Sequence, residues 1–301
     1  MQIGVIVPQG WTREYEGWEP TEAWARTRDL TAQVEALGFE SVWVFDHFHT
    51  TPRSTLDITF ESFSTLAALA SETRRVRLGH IVLCAAYRNP ALTAKMISTL
   101  DVITGGRMEL GIGAGWKRDE WRAYGYGFPD APERLQILKD QLEVISAMTR
   151  SERATYRGTH HSVDDAINVP QPVQKPRIPI MVGGNGPNVT WRLAARYADE
   201  LNLDGMSPDD VSRAMSKISA RCEEIGRDPA SLRVSVHVWW ESLRTTGQER
   251  VDLVGAYARA GMSRVIALIR DSVDSDDALA HWADDARAGG ATLEPSTALG
   301  S

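Results

Sequence analysis

The chain has 301 residues, of which 43% are hydrophobic and 24% are charged, a composition typical of globular proteins. Its 40 Asp and Glu residues outnumber 33 Lys and Arg residues, and the formal net charge of −7 argues against nonspecific nucleic-acid binding. Cys84 and Cys222 lie far apart, which argues against a disulfide framework and a cysteine-rich zinc site. Because neither a secretion signal nor an apolar run of bilayer length is present, we expect a cytoplasmic protein with no membrane or nucleic-acid partner.

Eight short β-branched runs alternate with eight longer segments of helical periodicity. The predicted strands are residues 2–8, 41–45, 76–83, 108–113, 178–183, 200–203, 232–239 and 264–269. The predicted helices are residues 21–37, 61–73, 91–104, 133–149, 188–197, 208–225, 248–260 and 275–288. This rhythm predicts an α/β protein that forms a (β/α)8 TIM barrel as one domain over residues 1–301.

An open doubly wound sheet is the alternative, and it would normally carry GxGxxG directly after its first strand. Here the first strand ends in Pro8-Gln9-Gly10-Trp11, and the glycines of 111–115 lie in the middle of the chain. One segment breaks the alternation, because residues 151–176 carry turn and proline signals with little periodicity. We therefore predict an insertion between the fourth helix and the fifth strand.

Active sites of such barrels lie at the carboxyl ends of the strands, and the second strand ends in Asp46-His47-Phe48-His49. An acid beside a histidine suits proton transfer near neutral pH, although the pair could also be a turn cap and a rim residue. The His-x-His spacing also invites a metal site. That hypothesis lacks further ligands on later strands, so no metal site is predicted.

The predicted fifth strand ends in a glycine-rich segment, residues 183–187. Glycines let the backbone approach a ligand, and the following helix would add the positive end of its dipole, so the segment could hold an anion. A tight turn that needs glycine only for its dihedral angles explains the same residues. The two interpretations stay open.

Four segments together carry a family likeness, and they are residues 37–48, 88–91, 99–116 and 179–200. On these motifs the chain resembles the bacterial luciferase-like monooxygenase superfamily. Within it, the chain is most similar to the deazaflavin-dependent oxidoreductases that use coenzyme F420. The resemblance implies a luciferase-like TIM barrel that transfers a hydride between the deazaflavin C5 and a small organic substrate.

The resemblance also implies roles for individual residues. Asp46 matches an acid near the reactive edge of the deazaflavin, and His47 matches a histidine that faces the substrate, so both are predicted to be catalytic. The bond between Ile81 and Val82 matches a cis peptide that backs the ring. The predicted cofactor-binding residues are Asp46, Ile81, Val82, Cys84, Gly113, Trp116, Gly183, Gly184 and Asn185, the last three being the phosphate cradle.

One departure concerns the substrate. Sugar-phosphate dehydrogenases of this branch carry a catalytic glutamate where this chain has Trp116, which argues against sugar-phosphate oxidation and for an aromatic wall. Further wall candidates are Trp11, Trp43 and Tyr87, although core packing is favoured for Trp43. Candidates for holding the acidic tail of F420 are Arg88, Lys117, Arg118 and Lys175.

Two other functions are compatible with the sequence. The first is an FMN-dependent luciferase-like monooxygenase, and the second is a non-catalytic binding barrel. The cofactor distinguishes them, because the carbon that replaces N5 in a deazaflavin suppresses the reaction with oxygen. The family likeness also implies a homodimer with a small-molecule substrate.

Overall fold

The computed structural model describes residues 1–294. The elements in chain order are β1 (Gln2–Ile6), α1 (Pro20–Leu37), β2 (Ser41–Val44), α2 (Ser62–Glu72), β3 (Arg77–His80), β4 (Leu83–Cys84), α3 (Pro90–Thr104), β5 (Met108–Gly113), α4 (Arg118–Ala123), α5 (Ala131–Arg150), β6 (Arg153–Arg157), β7 (Ser162–Ile167), β8 (Ile180–Gly183), α6 (Thr190–Tyr197), β9 (Glu200–Asp204), α7 (Pro208–Glu223), β10 (Arg233–Val238), α8 (Gln248–Arg259), β11 (Arg264–Leu268) and α9 (Ala278–Ala288).

The strands close into a parallel barrel. β1 pairs with β2 and β11, the order continues through β10, β9, β8 and β5, and a pairing of β3 with β5 completes the circle. β3 and β4 occupy one barrel position, so the closed sheet has eight positions. The predicted TIM barrel is confirmed, and the carboxyl ends of its strands meet at one rim.

The third barrel strand is interrupted, whereas the sequence pattern predicts a continuous strand over 76–83. It ends at His80 and resumes at Leu83, and the peptide bond between Ile81 and Val82 is cis. The neighbouring strand gives room for this bulge, because a Cβ at Gly111 would lie 1.9 Å from the backbone oxygen of His80. The hydrophobic pattern of the sequence does not show this interruption, since Leu78, Ile81 and Leu83 are all apolar and buried.

The predicted insertion contains regular structure that the sequence analysis does not anticipate. β6 and β7 form an antiparallel hairpin that packs on α5, where the Tyr156 hydroxyl donates to Asp140 at 3.1 Å. The hairpin strands are mostly exposed and polar, which hides the alternation of a half-buried strand. The short helix α4 is a second element missed, because six residues give too little periodicity to detect.

A buried ion network fills the amino-terminal half of the barrel. The Arg264 guanidinium is 1% exposed and donates to Glu109 at 2.9 Å and to Glu40 at 3.2 Å. Burial would raise the pKa of Glu109, but Arg264 holds that pKa below its ordinary range. The ring centre of Trp43 lies 5.2 Å from the same guanidinium. Trp43 therefore packs in the core, the environment that the sequence analysis favours for it. The network therefore lies at the end of the barrel opposite the rim where the carboxyl ends of the strands meet.

None of the helices within residues 1–294 is long and apolar enough to cross a bilayer.

Candidate active site

A cavity of about 300 Å³ opens at the carboxyl ends of the barrel strands. Its walls include all ten residues named above as catalytic or cofactor-binding: Asp46, His47, Ile81, Val82, Cys84, Gly113, Trp116, Gly183, Gly184 and Asn185. The volume lies at the lower end of the range for small-molecule sites. The barrel therefore brings together residues from four strand ends, which are those of β2, the interrupted third strand, β5 and β8.

His47 is held in the cavity by a buried carboxylate that the sequence analysis did not identify. Its Nδ1 lies 2.7 Å from Oε2 of Glu120, whose side chain is fully buried on α4. The imidazole stacks on Trp11 with ring centres 4.2 Å apart and an angle of 3° between the planes. A carboxylate at Nδ1 fixes the tautomer with hydrogen on Nδ1 and leaves Nε2 for a ligand.

Glu120 accepts three more hydrogen bonds. They come from the Tyr87 hydroxyl at 2.8 Å and from the backbone N–H groups of Phe48 and His49 at 2.7 and 3.3 Å. Burial would raise the pKa of Glu120, but the hydrogen bond and charge of His47, with these donors, lower it below its ordinary value. Glu120 is therefore an ionised carboxylate that fixes the segment after β2.

Asp46 is predicted to be a catalytic acid, but its carboxylate is surrounded by hydrogen-bond donors from the protein. Arg88 donates two hydrogen bonds to its carboxylate at 2.8 and 2.9 Å, and Ser62 Oγ and the Cys84 N–H donate at 2.9 Å each. Four donors saturate a buried carboxylate. Asp46 therefore ties β2 to β4, and Arg88 is committed to this pair and to Glu61.

The cis bulge forms one wall of the cavity. Val82 lies between two glycines, because a Cβ on Gly113 or on Gly183 would come within 2.9 Å of its methyl groups. The two glycines thus let the Val82 side chain sit across the barrel mouth. Next to it, burial raises the pKa of the Cys84 thiol, so Cys84 is an apolar wall residue rather than a nucleophile.

The segment after β8 differs in detail from the predicted phosphate cradle. The Gly184 N–H is used by the backbone oxygen of Asn202 at 3.0 Å. The Asn185 side chain exchanges two hydrogen bonds with the backbone of Asp204, at 2.7 and 2.9 Å. An anion would therefore have to use the backbone N–H groups that follow, up to the first turn of α6 at Thr190.

The wall candidates separate into three environments. Trp11 is 2% exposed and lines the cavity, whereas Trp43 lies in the core below it. Tyr87 also lines the cavity but is committed to Glu120. Trp116 is 61% exposed at the rim and meets His47 edge to face at 5.8 Å.

Three of the four tail candidates are not available to an anion. Arg88 is already paired with Asp46 and Glu61. Lys117 is 4% exposed and pairs with Asp119 at 3.3 Å. Lys175 precedes β8 and lies at the opposite end of the barrel, next to Gln174, which contacts the start of β5. Only Arg118 is exposed near the cavity rim, so it stays a prediction.

The structure adds a second histidine to the cavity, and the sequence analysis does not name it. His237 on β10 is 4% exposed and lines the cavity, and its Nδ1 lies 3.1 Å from Asp204. Among the described residues, neither its Nε2 nor the Trp11 indole N–H has a hydrogen-bond partner. The indole N–H needs an acceptor, and Nε2 of a His237 that donates from Nδ1 to Asp204 needs a donor, so the two atoms fit a ligand that carries both, as a deazaflavin or flavin ring does.

No group of three or more His, Cys, Asp or Glu side chains within residues 1–294 is arranged to hold a metal ion.

The family model described as luciferase-like monooxygenase matches residues 1–297. The chain belongs to this family. A luciferase-like relative from Microbacterium testaceum, named F420-dependent glucose-6-phosphate dehydrogenase, is 36% identical over 60% of this chain, and the match spans only 53% of that relative. A protein of the same name from Intrasporangium calvum is 30% identical over 80% of this chain and 76% of its own length.

The fold has a close counterpart among solved structures. An F420-dependent secondary alcohol dehydrogenase in complex with an F420-acetone adduct superposes with a TM-score of 0.79 over 96% of this chain and 98% of that chain. The two sequences are 20% identical, so this likeness supports the luciferase-like barrel alone.

Proposed function

We propose that the protein is an F420-dependent oxidoreductase that transfers a hydride to or from a small organic substrate. The observation that carries the proposal is the His47–Glu120 pair at 2.7 Å, whose histidine lines the same cavity as the cis bulge. The named F420-dependent relatives support the choice of cofactor.

When bound, F420 supplies C5 of its deazaflavin ring as the carbon that accepts or donates the hydride. Ile81 and Val82 would back the ring, and the unpartnered N–H of Trp11 and Nε2 of His237 would be available to its polar atoms. The backbone N–H groups between Asn185 and Thr190, apart from Pro187, which has none, would hold the phosphate. These residues fit the cofactor without a further basic side chain at the ring.

His47 is the proposed proton carrier. With Nδ1 bonded to Glu120, its Nε2 gives or takes the proton that accompanies hydride transfer at the substrate oxygen. The Glu120 carboxylate stabilises the protonated imidazole and holds its plane against Trp11. Asp46, saturated by four donors, acts as a positioning residue for the bulge rather than as an acid.

Titration of the purified protein with oxidised F420 and, separately, with FMN tests the proposal through the two dissociation constants. Tighter binding of F420 supports hydride transfer, whereas tighter binding of FMN would make the protein a flavin-dependent monooxygenase. If neither binds, a non-catalytic barrel is the better hypothesis. His47→Ala should reduce turnover by about 100-fold or more while F420 binding is retained.

We also propose a homodimer, on the evidence of an exposed apolar face. Leu92, Val102 and Ile103 on α3 are 53%, 43% and 55% exposed, and Val169, which is 55% exposed, accepts a hydrogen bond from Lys95 of the same helix. Apolar side chains grouped in this way commonly form protein contacts. Light scattering after size exclusion should give twice the chain mass, and Ile103→Lys should lower it.

A further inference from the structure

The aromatic side chains around His47 form the substrate end of the cavity. Trp11 stacks on the imidazole, Trp116 meets its edge, and Phe45 and Trp239 lie 4.4 and 6.0 Å from the Trp11 ring. A substrate whose reacting atom reaches Nε2 of His47 therefore lies beside aromatic rings. Such a surface binds flat or cyclic apolar groups well.

The charged residues of the cavity wall are already paired. They are Asp46, Lys117 and Asp204, and their partners are Arg88, Asp119 at 3.3 Å and His237 at 3.1 Å. Among the described residues, therefore, no unpaired Lys or Arg lines the cavity. A phosphorylated substrate would lose its hydration there without gaining an ion partner, which strongly disfavours its binding.

Trp116 supplies the remaining observation. It is 61% exposed although it lies at the cavity rim beside His47, so a large part of its apolar surface is available to a ligand. Its nearest cation, Nζ of Lys117, lies 6.0 Å from the ring centre and is held by Asp119. Contact with the indole would bury apolar surface and so stabilise a bound apolar substrate, but it would not stabilise a bound phosphate group.

We propose that the substrate is an uncharged, largely apolar cyclic or aromatic alcohol or ketone, and that Trp116 is a specificity-determining residue for it. This inference rests on the proposed function and narrows it. The proposed substrate differs from glucose 6-phosphate, the sugar phosphate for which the similar proteins from Microbacterium testaceum and Intrasporangium calvum are named.

Calorimetric titration of the F420-loaded protein tests the inference without relying on turnover. The probes are cyclohexanol and cyclohexanone as neutral rings, glucose as a neutral polar ring, and glucose 6-phosphate as an anion. A prior titration with F420 shows separately whether the cofactor binds. A failure of F420 to bind would count against the proposed function and not against the proposed substrate class. We expect a neutral apolar ring to bind at least about tenfold more tightly than glucose 6-phosphate.

Variants locate the effect at the rim. Trp116→Ala should weaken binding of the neutral ring by about tenfold, Trp116→Phe should restore most of it, and Ile225→Ala, an exposed apolar deletion elsewhere, should change nothing. Glucose 6-phosphate binding as tightly as the neutral rings would overturn the inference. So would a failure of both neutral rings to bind at any soluble concentration, or an unchanged affinity in Trp116→Ala.

Discussion

Glu120→Gln tests the central pair of the site. The change keeps the shape of the side chain but removes its charge, and it replaces one acceptor oxygen by an NH₂ donor. All four present partners of Glu120 are placed to donate to it, so one side of the new amide must face donors. The simplest adjustment makes Nδ1 of His47 an acceptor, which moves its hydrogen to Nε2.

The expected loss can be worked from the geometry. A charge-assisted hydrogen bond contributes about 1.5–3 kcal/mol, and Glu120 makes one to His47 at 2.7 Å in a buried setting. If about 2 kcal/mol of this supports the protonated imidazole in the transition state, kcat should fall about 30-fold. The dissociation constant for F420 should change by less than about threefold, because Glu120 does not line the cavity.

The assay follows F420 fluorescence under steady-state conditions from pH 5 to 9, with kcat and KM determined separately. Glu143→Gln makes the same substitution on α5, where the carboxylate only accepts from the Tyr197 hydroxyl at 2.6 Å, and it serves as the matched control. A urea titration of each variant shows whether the fold is kept. Wild-type kcat and pH profile in a folded Glu120→Gln protein would refute the assigned role.

Three further predictions concern stability and the bulge. Asp46→Ala should lower the free energy of unfolding by about 3–5 kcal/mol in urea, because it leaves the buried Arg88 without its main partner; a loss below about 1 kcal/mol would contradict this. Burial lowers the pKa of His80 to about 3, although the charge of Asp46 raises it, so the folded protein resists protonation of this ring. Since the unfolded chain takes up that proton below pH 6.5, the free energy of unfolding should fall by about 2 kcal/mol between pH 6.5 and 5. Loss of this pH dependence in His80→Phe would identify His80 as the group responsible. Gly113→Ala places a Cβ 2.9 Å from Val82, so it should cost about 1–3 kcal/mol in thermal unfolding and weaken F420 binding; unchanged values in both measurements would exclude the tight contact.

Local features of the sequence were enough to predict the barrel. Alternating periods of 2 and 3.6 residues mark strands and helices wherever they occur, and eight such units close in only one common way. The strand ends then show where the cavity lies, and the ten residues that the family resemblance implied line it. The structure differs from the predicted elements where periodicity is weak or misleading, which is at α4, at the polar hairpin and at the interrupted third strand.

The fold and the position of the cavity can be predicted from the chain alone, because both follow from local periodicity and from the ends of strands. Which side chains meet depends on the folded barrel. Glu120 lies 73 positions from His47, and nothing in the spacing links them until the barrel closes. The same closure commits Asp46 and Arg88 to each other. Side-chain pairing between distant segments depends on the relative placement of whole elements, and that placement is a property of the folded barrel rather than of any one stretch of chain.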